Sequence, residues 1–415
     1  MSAGTAERVQ DQGTTRHGKA RYALILGGLS AFGPLSIDMY LPSLPAMTAD
    51  LHSSETILQL TLTAFIIGLA LGQIVIGPLS DAMGRRKPLL AGLTIYVIGS
   101  ILCMVSPSAE LLIAARLIQA FGAAAGIVIA RAAVRDLFSG TAMTKFFSTL
   151  MLVNGLAPIL APIIGGQLLT WTSWRGVFVV LTVFGAVLLA VVTVALPEPL
   201  PVELRKPARP MSILRTYGGI LRDRSFVGYA LASGLMFAGL FAYIAGSSFV
   251  LQHIYGLSPQ GYSLAFGLNG VGIVIVGQLN GLIVGRLPER TLLIAGLLTS
   301  FAGGVGVLLA TTLHLGLAAL LVPLFVLVSS IGLVMPNASS LALADQAGNA
   351  GSASALLGVL QFVIGGLATP LVSLGGPGTA VPMSVVVAGF SAMALIVFFA
   401  LTRPAPLPLA EAAVA

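Results

Sequence analysis

The sequence predicts an all-α membrane protein, with twelve transmembrane helices arranged as two six-helix bundles. Three observations carry that expectation. First, 57% of the 415 residues are hydrophobic and only 8% are charged, against about 25% charged in soluble chains. Second, apolar stretches of roughly twenty residues recur along the chain, each able to cross about 30 Å of hydrocarbon. Third, lysine and arginine collect in alternate connections, the asymmetry that marks the cytoplasmic face of a membrane protein. A water-soluble enzyme is excluded, because a single core stops growing near roughly 250–300 residues.

Residues 1–21 are polar and contain no apolar run with a small-residue cleavage site, so they read as a cytoplasmic tail before an uncleaved first span. Six spans follow at 22–45, 59–80, 88–106, 109–131, 146–169 and 174–196, giving a first bundle over 22–196. Segment 197–225 reads as a cytoplasmic linker. Prolines disfavour regular structure in its first half. Its second half sets Ile213, Leu214, Tyr217, Ile220 and Leu221 at helical spacing beside Arg215, Arg222 and Arg224. That pattern fits an interfacial amphipathic helix or a plain solvated connection equally well. Six more spans at 226–250, 262–285, 291–312, 315–338, 350–373 and 380–402 give a second bundle over 226–402. Residues 403–415 form a cytoplasmic tail.

With both termini inside, the basic residues sort cleanly. Arg8, Arg16, Lys19, Arg21, Arg85, Arg86, Lys87, Arg131, Arg135 and Lys145 fall on the cytoplasmic side. Arg205, Lys206, Arg209, Arg215, Arg222, Arg224, Arg286, Arg290 and Arg403 join them, and only Arg175 faces outward. The net charge of +7 is therefore a topology signal, and a nucleic-acid partner is not expected. A shift of 201 residues superposes Phe65 on Phe266, Gly84 on Gly285, Arg85 on Arg286 and Gly165 on Gly366, as a parallel repeat of two halves would.

Two charges lie well inside spans, Asp38 and Arg116, where burial in lipid costs at least about 2.5–3.5 kcal/mol on insertion scales. Each sits about seven residues, roughly 10 Å, from the outer surface, so the two share a depth. One reading is a static ion pair that fixes packing. The preferred one makes Asp38 a proton carrier whose affinity Arg116 tunes, since a nearby cation favours the carboxylate and burial disfavours it. Gly33, Pro34, Pro42 and Pro45 surround Asp38, so this span should be kinked or locally open beside a cavity.

The connection GPLSDAMGRRKP places Asp81 at a helix C-terminus and Arg85, Arg86 and Lys87 at a helix N-terminus, against the macrodipole at both ends. Asp81 then needs a partner such as Arg85, and Asp136 is a second acid within reach of Arg85 or Arg86. The fifth span, NGLAPILAPIIGG, carries two rows of small residues and prolines, Ala157, Ala161 and Gly165 beside Pro158, Pro162 and Gly166, suited to close helix approach and bending. Tyr40, Gln119, Asn154, Asn269 and Gln361 are the polar cavity candidates, although interhelical hydrogen bonding is the commoner use of an intramembrane amide. Cys103 reads as a packed apolar side chain. The four histidines are too scattered to suggest a metal site, and no Gly-x-x-x-x-Gly-Lys-Ser/Thr loop for ATP is present.

SIDMYLPSLPAM, GQIVIGPLSDAMGRRKPLL, RLIQAFGAAAGIVIARAAVRDLF and MPNASSLALADQAGNAGSASALLGVLQ together resemble the major facilitator superfamily, and within it the Bcr/CflA drug–proton antiporters. The resemblance implies the major facilitator fold. It implies a conformational latch at Gly77, Asp81, Gly84, Arg85 and Arg86, with Asp136 beside it, and proton coupling through Asp38 and Arg116, with Gly122 in the same motif. It also implies an antiporter helix carrying Gly155, Pro158, Pro162, Gly165 and Gly166. Ala161 stands where that motif usually has glycine, and Leu282 replaces the acid in the second-half latch.

The expected protein is a monomeric, proton-driven exporter of small amphipathic drug-like compounds in the bacterial inner membrane. It needs no cofactor or metal and is not an enzyme. An exporter of an endogenous metabolite, or an importer by proton symport, are the alternatives. A non-transporting scaffold would be expected to lose Asp38 or the latch.

Overall fold

The computed structural model describes residues 16–138, 140–205, 210–344, 346, 350–373 and 378–402. The tails at 1–15 and 403–415, with Arg8 and Arg403, and the linker residues Lys206 and Arg209 lie outside them. So do the side chains of Arg16, Lys19 and Lys145.

The first predicted span is broken into three helices, α1 (Arg16–Ser30), α2 (Phe32–Asp38) and α3 (Leu44–Asp50), with a 3-10 turn at Leu41–Ser43 between the last two. The bend between Arg21–Ser30 and Phe32–Asp50 is 41°. Pro34 explains the first break, because it has no N–H for the Ser30 carbonyl. Pro42 and Pro45 sit in the opening turns of the 3-10 segment and of α3, where a missing N–H costs little. Then come α4 (Glu55–Met83), α5 (Arg86–Val105), α6 (Ala109–Leu137), α7 (Gly140–Leu168) and α8 (Arg175–Ala195). The linker forms α9 (Pro210–Ile220). The remaining helices are α10 (Arg224–Phe249), α11 (Pro259–Ile283), α12 (Glu289–Thr312), α13 (Leu317–Ser329), α14 (Ile331–Leu343), α15 (Ala350–Ala368) and α16 (Val381–Leu401).

Among the described residues ten helical stretches are long and apolar enough to cross a membrane, and the bent first pair makes eleven. Leu152–Leu168, at the place of the fifth predicted span, is apolar but shorter. Side chains fix several helix starts: Ser54, Ser108, Asp223 and Ser258 each accept from a backbone N–H in the first turn that has no helical partner. The tenth span is interrupted between α13 and α14, close to Pro336. Helix α9 does not lie free: it packs on α15, and Ile220 is buried beside Phe226 and Tyr229.

Helices before Leu196 pack chiefly on one another, as do those after Arg224. In the first half α6 is central and closely met by α4 and α5; a Cβ on Gly122 would collide with the backbones of Gly92 and Tyr96. The halves touch mainly through α7 with α11 and α4 with α15. Gly84 and Gly285, superposed by the 201-residue shift, both have φ of +90°, a conformation that glycine alone adopts readily. One apolar core runs from the first half into Phe241–Leu251 and Met383–Val387, at the end of the molecule that carries Asp50. At the opposite end, which carries Arg85, the second half has a separate core around Leu293, Val334 and Phe398.

Candidate functional site

Toward the Asp50 end the two halves are joined by a set of polar contacts. Among the described residues, Ser248 Oγ donates to the Leu41 carbonyl (2.6 Å), Gln252 Nε2 to Pro42 (3.3 Å) and Gln260 Nε2 to Gly166 (2.8 Å). Thr63 and Thr369 share a hydroxyl hydrogen bond, and His253 Nδ1 lies 3.1 Å from Glu55 Oε1. All five lie toward the Asp50 end. The break after Asp38 makes two of them possible, because Leu41 and Pro42 expose carbonyls that a continuous helix would use internally. The small residues of α7 serve both sides: a Cβ on Gly165 would strike the Met39 carbonyl within the first half, and one on Gly166 would strike Ser263 of the second.

Beyond this closed end, between the halves, lies a cavity of about 260 Å³. Gly33, Pro34, Ile37 and Asp38 line it from α2, Gln73 from α4, Ile127 and Arg131 from α6, and Asn154 and Pro158 from α7. The second half contributes aromatic side chains, including Phe241, Tyr243 and Phe266, and Asn269, whose amide donates to the Tyr243 hydroxyl at 2.8 Å. Among the described residues Asp38 is the only carboxylate in this lining. It is 4% exposed, and among the described residues its side chain has neither hydrogen bond nor ion pair.

Arg116 is fully buried and does not bond Asp38. Its Nη2 donates to the Ser36 carbonyl (2.9 Å) and its Nη1 to Gln119 Oε1 (2.7 Å). Its guanidinium lies 4.1 Å from the centre of the Phe65 ring and 4.4 Å from that of Tyr40. The shared depth inferred for Asp38 and Arg116 thus corresponds to a meeting of Arg116 with the backbone of α2. Ser36 is in the last turn of that helix, where carbonyls lack helical partners and a cation is favoured. Arg116 therefore caps the broken helix that ends on Asp38.

The polar candidates separate into three groups. Asn154 and Asn269 line the cavity. Tyr40 and Gln119 belong to the cage around Arg116; Gln119 donates to Ser100 Oγ (2.8 Å) and Tyr40 bonds Thr61 Oγ1 (3.1 Å). Gln361 donates to Ser233 within the second half (3.3 Å) and is absent from the lining. Arg131, placed on the cytoplasmic side by the charge distribution, lines the cavity. Residue counting placed it at a span end, whereas α6 continues to Leu137.

At the Arg85 end, Arg85 is 3% exposed. Its Nη1 meets Asp81 Oδ1 (2.5 Å) and Ser80 Oγ (2.8 Å), and its Nε meets Asp136 Oδ2 (2.7 Å). Glu198, from the Pro-Glu-Pro segment after α8, was not singled out by sequence. Its carboxylate accepts from the backbone N–H groups of Arg85 (2.7 Å) and Arg86 (3.1 Å). It thereby caps α5 with an anion and offsets the three cations that oppose the dipole there. Gly84 leaves room for it, since a Cβ would come within 2.6 Å of Glu198 Oε2. Arg86 Nη2 donates to the Thr193 carbonyl (2.6 Å), while a Cβ on Gly77 would meet open space. In the second half Leu282 stands in the place of Asp81, and among the described residues Arg290 bonds Tyr229 and Thr402.

Residues 26–370 match the model of the Major Facilitator Superfamily. The chain is 42% identical over 390 residues to an uncharacterized MFS-type transporter, YdgK, of Bacillus subtilis, covering 93% of this chain and 97% of that protein. It is 32% identical over 381 residues to a bicyclomycin resistance protein homolog of Haemophilus influenzae, covering 92% and 96%. In fold it is similar to a bacterial homolog of the human lysosomal transporter Spinster, solved in an inward-facing, unoccupied conformation. That match has a TM-score of 0.73 at 15% identity and covers 97% of this chain and 98% of that one.

Proposed function

The chain belongs to the Major Facilitator Superfamily, and from that premise we propose that it is a drug–proton antiporter of Bcr/CflA type. It exports small amphipathic compounds across the bacterial inner membrane, with the proton gradient as its drive and no cofactor. The observation that carries this reading is Asp38: an unpaired carboxylate, at a helix break, on the wall of the cavity between the halves. The name of the Haemophilus relative supports a drug-like substrate.

The lysines and arginines put the Arg85 end in the cytoplasm, with both termini. The contacts at the Asp50 end then form an outer gate, closed while the cavity communicates inward. Rocking of one half against the other, about the α7–α11 and α4–α15 contacts, alternates access. Asp38 takes a proton while the cavity faces outward and releases it when hydration inside favours the carboxylate. Arg116 influences Asp38 through the end of α2, by holding Ser36, rather than by a direct pair. On α7, which also carries Pro158 and Pro162, Gly155 and Gly166 allow close approach of the second half, while Gly165 seats the helix against Met39. Asp81, Arg85, Arg86, Asp136, Gly77 and Gly84 act as the cytoplasmic latch, and the protein works as a monomer.

Everted membrane vesicles from an efflux-deficient bacterium test the reading. An imposed proton gradient should drive drug uptake into vesicles carrying the wild type and should not do so with Asp38→Asn. Gradient-driven transport by Asp38→Asn at the wild-type rate would refute the proton role. Unchanged susceptibility across a wide drug panel in intact cells would refute drug export.

A further inference from the structure

The cavity holds two full charges, and the proton mechanism uses only Asp38. Arg131 is exposed into the same space. Among the described residues its side chain has no hydrogen bond and no ion pair. A guanidinium presents five donors and stays charged at any physiological pH. Left without an anion in a largely apolar, aromatic cavity, it is costly unless a ligand or water satisfies it.

Both charges line the cavity, and residue counts along their helices estimate the axial interval between them. Ile127 lies level with Gly33, since its Cδ1 is 3.0 Å from where a Gly33 Cβ would stand. From that level Asp38 is five residues toward the Asp50 end, and Arg131 is four residues the other way. The Cα positions are then about 13 Å apart along the helices, at 1.5 Å per residue. Both helices run outward from their shared level toward these residues, and side chains lean toward the N-terminus of their own helix. Both side chains therefore start out leaning inward, leaving roughly 10 Å between the charged groups along the helix direction.

We propose that Arg131 is a specificity-determining residue, and that the preferred substrates are amphipathic zwitterions. The carboxylate of the substrate is held by Arg131 and its ammonium lies toward Asp38. This deepens the exporter reading above and rests on it. The fit follows from charge and shape: a fixed guanidinium repels a lipophilic monocation and grips a carboxylate with two parallel hydrogen bonds. It also suits exchange. A proton arriving on Asp38 removes the counter-charge of the ammonium end, while the hold on the carboxylate is unaffected.

Equilibrium binding to the purified full-length protein, with no proton gradient present, tests this. The probes are norfloxacin, which carries a carboxylate and an ammonium, its ethyl ester, which keeps only the ammonium, and ethidium. Wild type should bind norfloxacin at least tenfold more tightly than the ester. Arg131→Gln should weaken norfloxacin about tenfold or more, and bind the ester and ethidium as well as or better than wild type. Arg131→Lys should restore part of the norfloxacin affinity, which also shows that the position tolerates replacement. Equal binding of acid and ester by wild type, binding of neither, or an Arg131→Gln variant with undiminished norfloxacin affinity overturns the proposal. Because no gradient is involved, loss of acid–ester discrimination is distinct from failure of proton coupling, which Asp38→Asn reports in vesicles.

Discussion

Replacing Glu198 by alanine should loosen the first half at its cytoplasmic end, by an amount that its contacts allow to be worked out. The carboxylate accepts two backbone N–H groups, at 2.7 and 3.1 Å, from the start of α5. Hydrogen bonds to a charged acceptor contribute about 1.5–3 kcal/mol each when fully enclosed. Glu198 is 27% exposed, so about 1 kcal/mol each is the appropriate figure, within the range of helix-cap losses. Arg205 stands 4.0 Å away and is itself partly exposed, so it adds little. The total is about 2 kcal/mol, or roughly 4–8 °C in the melting temperature of a unit of 150–250 residues. Glu198→Gln keeps one acceptor oxygen and should lose about half as much. Thermal unfolding of the detergent-solubilised protein measures both variants. An alanine variant that melts within about 1 °C of wild type would show that the cap contributes nothing and that the argument from hydrogen bonding is mistaken.

Two further outcomes follow from the site. Arg116→Lys keeps the charge but cannot bond Ser36 and Gln119 together while lying on the Phe65 and Tyr40 rings. It should cost about 2–3 kcal/mol in stability and impair proton-driven transport, read by thermal unfolding and vesicle uptake. Gly166→Leu would press on Ser263 and the Pro259 carbonyl; overpacking costs about 1–3 kcal/mol, biasing the gate at the Asp50 end toward open by roughly five- to a hundredfold. Labelling of a cysteine placed at Thr56 with a membrane-impermeant maleimide reads that shift, and the buried native Cys103 does not compete.

The spans and the break around Asp38 were readable because both rest on local rules, apolar length and the missing N–H of proline. The Asp81–Arg85 contact was readable from the macrodipole, which disfavours both charges where they sit and so calls for a partner. Glu198 was not, since an isolated glutamate between two prolines has no periodic pattern and its partners are backbone groups over a hundred residues away. Arg116 shows the same limit in another form. Depth can be counted from a span end, but whether an arginine meets a carboxylate or a carbonyl two residues earlier depends on helix rotation. That Arg131 lines the cavity was not readable because counting charges by face assumes that a span ends where hydropathy falls, and α6 runs on to Leu137.

The cluster around Arg85 also bears on the order in which the protein can be made. Asp81, Arg85, Asp136 and Glu198 all precede residue 206, so every member is synthesised before the first residue of the second half. At about 5–20 residues per second, the remainder of the chain takes roughly ten to forty seconds more. During that interval the first half can already close its own cluster, with Glu198 as the last member to arrive. In the second half Leu282 removes the counterpart of the Asp81 contact, and that half's neighbour is already built when it emerges. The asymmetry that looks like decay of a repeated motif is therefore also a division of labour in assembly: a finished template first, and a partner that folds against it.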